Sequence, residues 1–371
     1  MKHPCSVAYV ANILVLEPWY RGSHRTWLDG WREASRHQFN IVEGPDSGWR
    51  QSLATAPTHF AEVIAQNSTT TDALVASSPS DLATVAGLLG PKISRPPILR
   101  YMHERQIGYP PGPKGGRSQK GIINDWTAIS TADKVVVATH FHAGLLMERM
   151  PPFVEGLLPG AGSKLECVLS KIEILPVGIT MSGLRSRSAT GPLRLLWNHR
   201  WAYDKDPNEF VHAMSILAGE GQEFQVYALG EVERSGQRAQ SRLVNQLRER
   251  IILCGHQDRG AYESALCQSD LVVSTARQDF FGVAVAEAIA AGARPVLPNR
   301  LAYPEIVPKS LRSTLLYETN LIEALRSVLT RSRDALHQYQ SATMAHVAGF
   351  EWANLAPTYD ALIDDLIECR Q

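Results

Sequence analysis

The sequence predicts an α/β protein built of two doubly wound domains that face each other across a cleft. Short apolar runs of the kind buried in parallel sheets recur at Val7–Leu16, Ala73–Ala76, Pro97–Met102 and Lys134–Ala138. Amphipathic stretches of helical length separate them, at Ser23–Ser35, His59–Gln66, Asp81–Leu89 and His140–Met150. The alternation is interrupted by a Pro-, Gly- and Ser-rich region from Pro151 to Gly191 and then resumes. With 371 residues there is room for two cores.

The second series opens with a strand at Leu193–Trp197 and continues through Pro207–Ala218, Phe224–Ala228, Gln237–Glu249, Ile251–Cys254, Ala261–Cys267, Asp270–Ser274, Val283–Ala291 and Arg294–Leu297. The expected domains are therefore 1–178 and 190–350, with an apolar stripe along 351–371 (Leu355, Tyr359, Leu362, Ile363, Leu366) forming a helix that returns to the first domain. Ile172–Leu175 adds a short strand just before the boundary.

Composition excludes several classes. Equal numbers of basic and acidic side chains, 37 of each, argue against bulk electrostatic coating of nucleic acid. A hydrophobic share of 44% and a charged share of 20% exclude a disordered or coiled-coil chain. The five cysteines are scattered without a CxxC pair, which is neither a disulfide framework nor a zinc site and suits a reducing compartment. Val7–Leu16 has the length of a signal-peptide core, but Glu17-Pro18-Trp19-Tyr20-Arg21 follows with no small-x-small cleavage site. A buried first strand, no membrane segment and a cytoplasmic monomer are the expectations.

Ligands of open α/β sheets bind beyond the carboxyl ends of the strands, so the loops there carry the chemistry. After the strand near Leu271–Ser274 come Asp279 and Glu287, eight residues apart, bracketing Phe281, Gly282 and Val283 at the start of a helix. Free amides at Gly282 and Val283 suit a diphosphate, Asp279 suits sugar hydroxyls and Glu287 a ribose. A capped helix with an incidental glutamate fits the same spacing. Arg200 and Lys205 lie in the loop after Leu193–Trp197, where both can reach one leaving diphosphate. Asp204-x-Asp206 has a metal-type spacing, yet the following Pro207 makes Asp206 a helix cap, so no metal is assigned.

In the first half, Gly22 permits close backbone approach to a donor, and Ser23 suits the cap of the first helix. His103 follows a strand and would orient the sugar; the plainer reading is a half-buried structural histidine. One of His140 and His142 is expected in the core or at a cap. The segment Arg95–Lys120 carries Arg95, Arg100, Arg105, Lys114, Arg117 and Lys120 against one acid, Glu104, which suits a clamp on a phosphate backbone or a plain solvated loop.

The Asp279/Glu287 pair and the Arg200/Lys205 pair resemble those of retaining glycosyltransferases of the GT-B fold, two Rossmann-like domains, in which a Glu-x7-Glu motif holds a nucleotide-sugar. Asp279 stands where that motif has its first glutamate, and Gly255 and His256 resemble the segment that borders the base. The stretches 17–25, Trp49-Arg50, 101–110 and Leu196-Trp197-Asn198-His199-Arg200-Trp201 resemble the tRNA-queuosine α-mannosyltransferases. That resemblance implies a GDP-mannose donor, queuosine-containing tRNA as acceptor, no cofactor, and acceptor contacts from Arg21, Ser23, His24, Arg25, Glu104, Arg105, Gln106, Lys114, Arg117 and Lys120. Arg21 departs from the family's glycine, and its side chain narrows the acceptor mouth or adds a phosphate contact. The rival readings are a GT-B enzyme acting on a lipid or polysaccharide, and a non-catalytic RNA-binding protein on a transferase scaffold.

Overall fold

In a computed structural model the described residues are 9–66, 70–90, 95–112, 119–181, 183–184 and 191–369. They divide into two units: Met1–Gly108, Ser118–Gly178 and Trp352–Gln371 form one, Tyr109–Arg117 and Ile179–Glu351 the other.

The N-terminal unit runs β1 (Asn12–Glu17), α1 (Gly22–Ala34), β2 (Gln38–Glu43), α2 (Trp49–Gln66), β3 (Ala73–Ser77), α3 (Leu82–Leu89), β4 (Ile98–Met102), α4 (Gln119–Thr131), β5 (Lys134–Val137), α5 (His140–Leu157), α6 (Gly162–Leu169) and β6 (Ile172–Ile174). Its parallel sheet has the order β2-β1-β3-β4-β5-β6. β3 and β4 are buried at every position because helices cover both faces, hence their unbroken apolar runs. In register, Leu14 opposes Leu74 and Val75 opposes Leu99. The core gathers Leu14, Leu16, Phe60, Met102, Ile129 and Leu146.

The C-terminal unit runs β7 (Leu193–Asn198), α7 (Pro207–Gly219), β8 (Phe224–Leu229), α8 (Gln237–Leu247), β9 (Ile251–Gly255), α9 (Arg259–Gln268), β10 (Leu271–Val273), α10 (Val283–Ala290), β11 (Arg294–Pro298), α11 (Arg312–Leu315), β12 (Leu316–Tyr317), α12 (Leu321–Leu329), α13 (Arg333–His337) and α14 (Gln340–Ala348). Its sheet order is β12-β11-β10-β7-β8-β9. α7 starts as its sequence dictates: the Asp206 side chain accepts from the Glu209 amide, and Pro207 needs no amide partner at the first helical position. The core centres on Trp197, Trp201, Phe210, Leu243 and Leu325.

The last helix, α15 (Trp352–Glu368), belongs to the N-terminal unit. Its Tyr359 hydroxyl donates to the Pro176 carbonyl at 2.8 Å, and Asp360 accepts from Ser35 Oγ at 2.5 Å and the Arg36 amide at 2.9 Å. The Trp352 ring lies against Gly30 and Gly178; a Cβ at Gly178 would sit 2.2 Å from that ring.

Both sheets have a point where the strand order reverses. β1 lies between β2 and β3, and β7 between β8 and β10, so the chain winds away on both sides of each first strand. The loops after β1 and β3, and after β7 and β10, flank these crevices, where α/β sheets take their ligands.

Several expectations need correction. The first strand starts at Asn12, with Tyr9 and Val10 largely exposed. β2 went unassigned because one residue in its row of six, Val42, is buried, as at a sheet edge. α2 begins ten residues before His59 and passes through Pro57, and α5 continues through Pro151 and Pro152 into the expected linker. Buried side chains on both flanks hold these helices across prolines that read as stops. α4 was hidden because Asp125 sits among its buried residues and breaks the apolar stripe. The helices between β11 and α15 also went unassigned, although Leu321, Leu325 and Val328 form a clear stripe on α12.

Candidate active site

At the C-terminal switch point the loops after β7 and β10 are laced through their backbones. The Arg277 and Gln278 amides donate to the Asp204 carbonyl at 2.8 and 3.1 Å, and Thr275 Oγ1 donates to the Lys205 carbonyl at 2.8 Å. This lacing brings Lys205 Nζ to 3.2 Å from Asp279 Oδ2 and 2.6 Å from the Gln278 carbonyl. The Tyr303 hydroxyl, buried, donates to Asp279 at 3.1 Å and contacts Ser274 Oγ at 2.6 Å. Burial pushes the Asp279 carboxyl up, but Lys205, His199 and Tyr303 together leave it below its ordinary value. Burial and Lys205 push the neighbouring His199 down to about 3, so its ring is neutral.

Gly282 stands at φ 92° before α10, a left-handed conformation that L side chains resist. A Cβ there would also lie 3.3 Å from the Tyr303 ring. The first amides of α10 therefore point out of the helix beside Asp279 without intrahelical partners, and favour an anion. Phe281 is buried and packs edge-on against Phe350 at 5.2 Å, so it supports the turn.

Glu287 opens the second turn of α10. Tyr262 of α9 donates to it at 2.7 Å and Arg259 at 3.2 Å, while Asn198 Nδ2 donates to the Ala284 carbonyl at 2.7 Å. Burial raises the Glu287 carboxyl, with Tyr262 and Arg259 opposing. Gly255 ends β9 at φ 86°, and His256 beyond it is exposed. Arg200 pairs with Glu233 and, at 3.5 Å, with Asp204 Oδ2, the same oxygen that Lys205 Nζ faces at 3.8 Å. The two cations thus meet at one carboxylate oxygen, with Glu233 as a second partner of Arg200.

At the N-terminal switch point, Glu17 at the end of β1 is fully buried. It accepts from the Trp19 amide at 2.8 Å, from Ser77 Oγ at 2.6 Å and from His24 Nδ1 at 3.1 Å. The His24 ring lies 4.3 Å from that of His103, which also meets Trp27 and Tyr101 at 4.5 and 4.8 Å. Burial lowers the His24 pKa, and Glu17 with Glu104 reverses this to a net rise. Burial, His24 and Arg100 hold His103 well below its usual value. Glu17, His24 and His103 also offer ligand-type atoms within 4.8 Å of one another. The carboxylate already serves three donors, so the arrangement is that of a hydrogen-bonded cluster rather than a cation cage.

The expected acceptor residues are dispersed. Ser23 does not cap α1: Arg21 holds the cap position, with no side-chain cap bond, because the helix starts one residue earlier at Gly22. Arg21 pairs with Asp46 and lies over the Trp19 ring; Arg25 pairs with Asp29 at 3.2 Å. The phosphate-clamp expectation fails for Arg100 and Arg105, both fully buried, because the segment folds inward around Asp125. Burial lowers the Arg105 guanidinium to about 10 and raises Asp125 to about 7. Asp125 takes the Gln106 amide at 2.6 Å, while the Glu104 amide faces Ser78 Oγ at 3.3 Å. Arg95 faces Asp133 at 3.3 Å and Lys120 is exposed on α4; Lys114 and Arg117 lie outside the described residues. His142 is fully buried and His140 exposed, with Thr139 capping α5.

Glu17, Ser77, Tyr262, Arg259 and Tyr303 were missed as site residues. Each lies far in sequence from its partner, and only the Glu17–His24 pair sits in one motif.

Comparison with known proteins matches the chain to two family models. Residues 12–179 match the N-terminal domain of tRNA-queuosine alpha-mannosyltransferase, and 185–343 match glycosyl transferases group 1. A tRNA-queuosine alpha-mannosyltransferase of Drosophila melanogaster is 30% identical over 312 residues, covering 80% of this chain and 82% of its own. The chain belongs to the tRNA-queuosine alpha-mannosyltransferase family. It is a glycosyltransferase. Among solved structures, sucrose-phosphate synthase of Thermosynechococcus elongatus superposes with a TM-score of 0.76 at 14% identity, covering 97% of this chain and 100% of that one. The catalytic domain of starch synthase IV of Arabidopsis thaliana gives 0.71 at 12% identity, covering 97% and 99%. At such identities these two show the fold alone, the GT-B arrangement of two Rossmann-like domains. No helix among the described residues is long and apolar enough to cross a membrane.

Proposed function

We propose that the chain transfers mannose from GDP-mannose, with retention of configuration, to a hydroxyl of the cyclopentenediol of queuosine in tRNA. The observation that carries this reading is the Lys205–Asp279 pair beside the open N-terminus of α10, at a sheet's switch point. A cation and unpartnered amides suit a diphosphate, and the adjoining carboxylate suits sugar hydroxyls. The family match and the name of the Drosophila relative support mannose and queuosine.

In the reaction the bond from the anomeric carbon to the phosphate oxygen breaks, and its electron pair stays on the diphosphate. Lys205, the amides at Gly282–Val283 and Arg200, once released from Glu233, oppose that charge. Asp279 accepts from the sugar hydroxyls and Glu287 from the ribose, and His103 orients the sugar. The proposal calls on no metal and no resident cofactor.

The test incubates the protein with queuosine-containing tRNA and a panel of sugar nucleotides, then weighs the digested nucleosides. One hexose on queuosine, from GDP-mannose alone, is the expected result. Hexose on no nucleoside, with GDP-mannose still bound, refutes the acceptor and favours a lipid or polysaccharide. Glu287→Ala is expected to remove transfer while leaving the unfolding midpoint near native; near-native turnover refutes its assignment.

A further inference from the structure

β11 opens at Arg294, at the edge of the C-terminal sheet opposite to the loops that carry Lys205 and Asp279. β12 pairs with Leu297 and Pro298 of β11, so among the described residues 294–296 have no strand beside them on that side. A cavity of about 200 Å³ lies there. Arg294 of β11, Ser313 and Thr314 of α11, Ser327 of α12 and Arg331 just beyond it contribute to its walls.

Arg294 is 5% exposed, and its Nε and Nη1 are buried with no hydrogen-bond partner. Its Nη2 reaches the Thr314 carbonyl at 3.4 Å, and the guanidinium lies over the Tyr339 ring at 5.1 Å. Burial and the neighbouring Arg331 lower Arg294 from the ordinary guanidinium value; the group that opposes them is the Tyr339 phenol, not a carboxylate. Arg331 is exposed, and its Nε donates to the Ser327 carbonyl at 3.3 Å. Among the described residues no acid pairs with either arginine.

A guanidinium taken out of water needs a counter-charge, and a second cation beside it increases that need. Elsewhere in this unit an acid meets it: Arg333 bonds to Asp270 at 2.8 Å and Arg326 to Glu220 at 2.7 Å. At Arg294 a cavity stands where the acid would be. Two guanidinium groups and the hydroxyls of Ser313 and Thr314 are donors suited to the oxygens of a tetrahedral anion. The volume is below the roughly 300–1,000 Å³ of sites that enclose a whole small molecule, so a phosphate group fits and a nucleotide does not.

We propose that Arg294 and Arg331 hold a phosphate-type oxyanion in this cavity, at a site separate from the one that takes the donor's diphosphate. The site lies wholly within the C-terminal unit and does not rest on the transferase reading. Free phosphate and a phosphate of a nucleic-acid strand present the same oxygens to it.

The experiment follows thermal unfolding as inorganic phosphate replaces chloride at constant ionic strength. Lys205→Met serves as the background, which weakens phosphate binding beside α10, and is compared with Lys205→Met/Arg294→Gln and Lys205→Met/Arg331→Gln. A ligand bound by the folded state alone stabilises it, so the Lys205→Met midpoint is expected to rise with phosphate and to saturate. Adding Arg294→Gln is expected to raise the phosphate needed for the same shift by roughly ten- to a hundredfold, and adding Arg331→Gln by less, because Arg331 is exposed. No saturable rise in Lys205→Met, or an equal rise with and without Arg294, overturns the site. Should Arg294→Gln fail to fold by circular dichroism, an unchanged response in the Arg331 variant overturns it instead. A parallel titration with a short RNA lacking queuosine separates the sources: an Arg294-dependent shift there assigns the phosphate to a strand, and a shift with inorganic phosphate alone assigns it to the free ion.

Discussion

Replacing Lys205 with Met removes one charge from the pair with Asp279 and keeps the side chain's length. Lys205 and Asp279 side chains are 14% and 15% exposed, so the pair is mostly desolvated and solvent screening is modest. Breaking a buried pair by removing one partner costs about 3–5 kcal/mol; the residual exposure and the Tyr303 hydrogen bond bring the expectation to roughly 2–3. The pH dependence carries a sign that separates this from a packing defect. In the native chain Asp279 lies below the 3.8 of a free carboxyl, so its contribution is whole above about pH 4 and is lost as the pH falls through the depressed value. Burial is the largest influence on that carboxyl and Lys205 the largest opposing one. Lys205→Met is therefore expected to raise Asp279, so that its unfavourable charge is relieved on acidification and the variant gains on the native chain as pH falls. Urea unfolding across pH, run also on Asp279→Asn and the double variant, reads both effects. A coupling energy of about 1–3 kcal/mol is expected from the cycle. Additive single and double variants, or a penalty independent of pH, would refute the reasoning.

Two further outcomes follow from contacts the structure adds. Tyr262→Phe removes the hydroxyl 2.7 Å from Glu287 and should weaken donor binding by about 1.5–3 kcal/mol, roughly ten- to a hundredfold, in a calorimetric titration with GDP-mannose; unchanged affinity would detach Glu287 from the donor. Gly178→Ala would place a Cβ 2.2 Å from the Trp352 ring and should cost about 1–3 kcal/mol of stability by overpacking, read as a lower denaturant midpoint.

The motifs were legible where chemistry and local spacing coincide. Asp279, Gly282 and Glu287 sit around one helix start, so their nearness could be read from nine residues of sequence. Asp206 declared itself as a cap through the proline behind it. The basic segment misled because charge counts do not report burial: Arg100 lies on β4, and both it and Arg105 are fully buried. Arg200 also meets Glu233, more than thirty residues away, a partner that no local window of sequence shows. Prolines inside α2 and α5 concealed helices whose ends are held by burial rather than by local propensity.

By itself the sequence determined the alternation of strands and helices, the start of α7 and the family, because each is written in residues close along the chain. Tertiary structure decided the partners. Glu17 with Ser77, Tyr262 with Glu287, and Tyr303 with Asp279 are 60, 25 and 24 residues apart. They meet because β1 lies beside β3, α9 beside α10, and β10 beside β11. That lateral order follows from how whole layers bury their apolar faces, a global choice that no local window of sequence encodes.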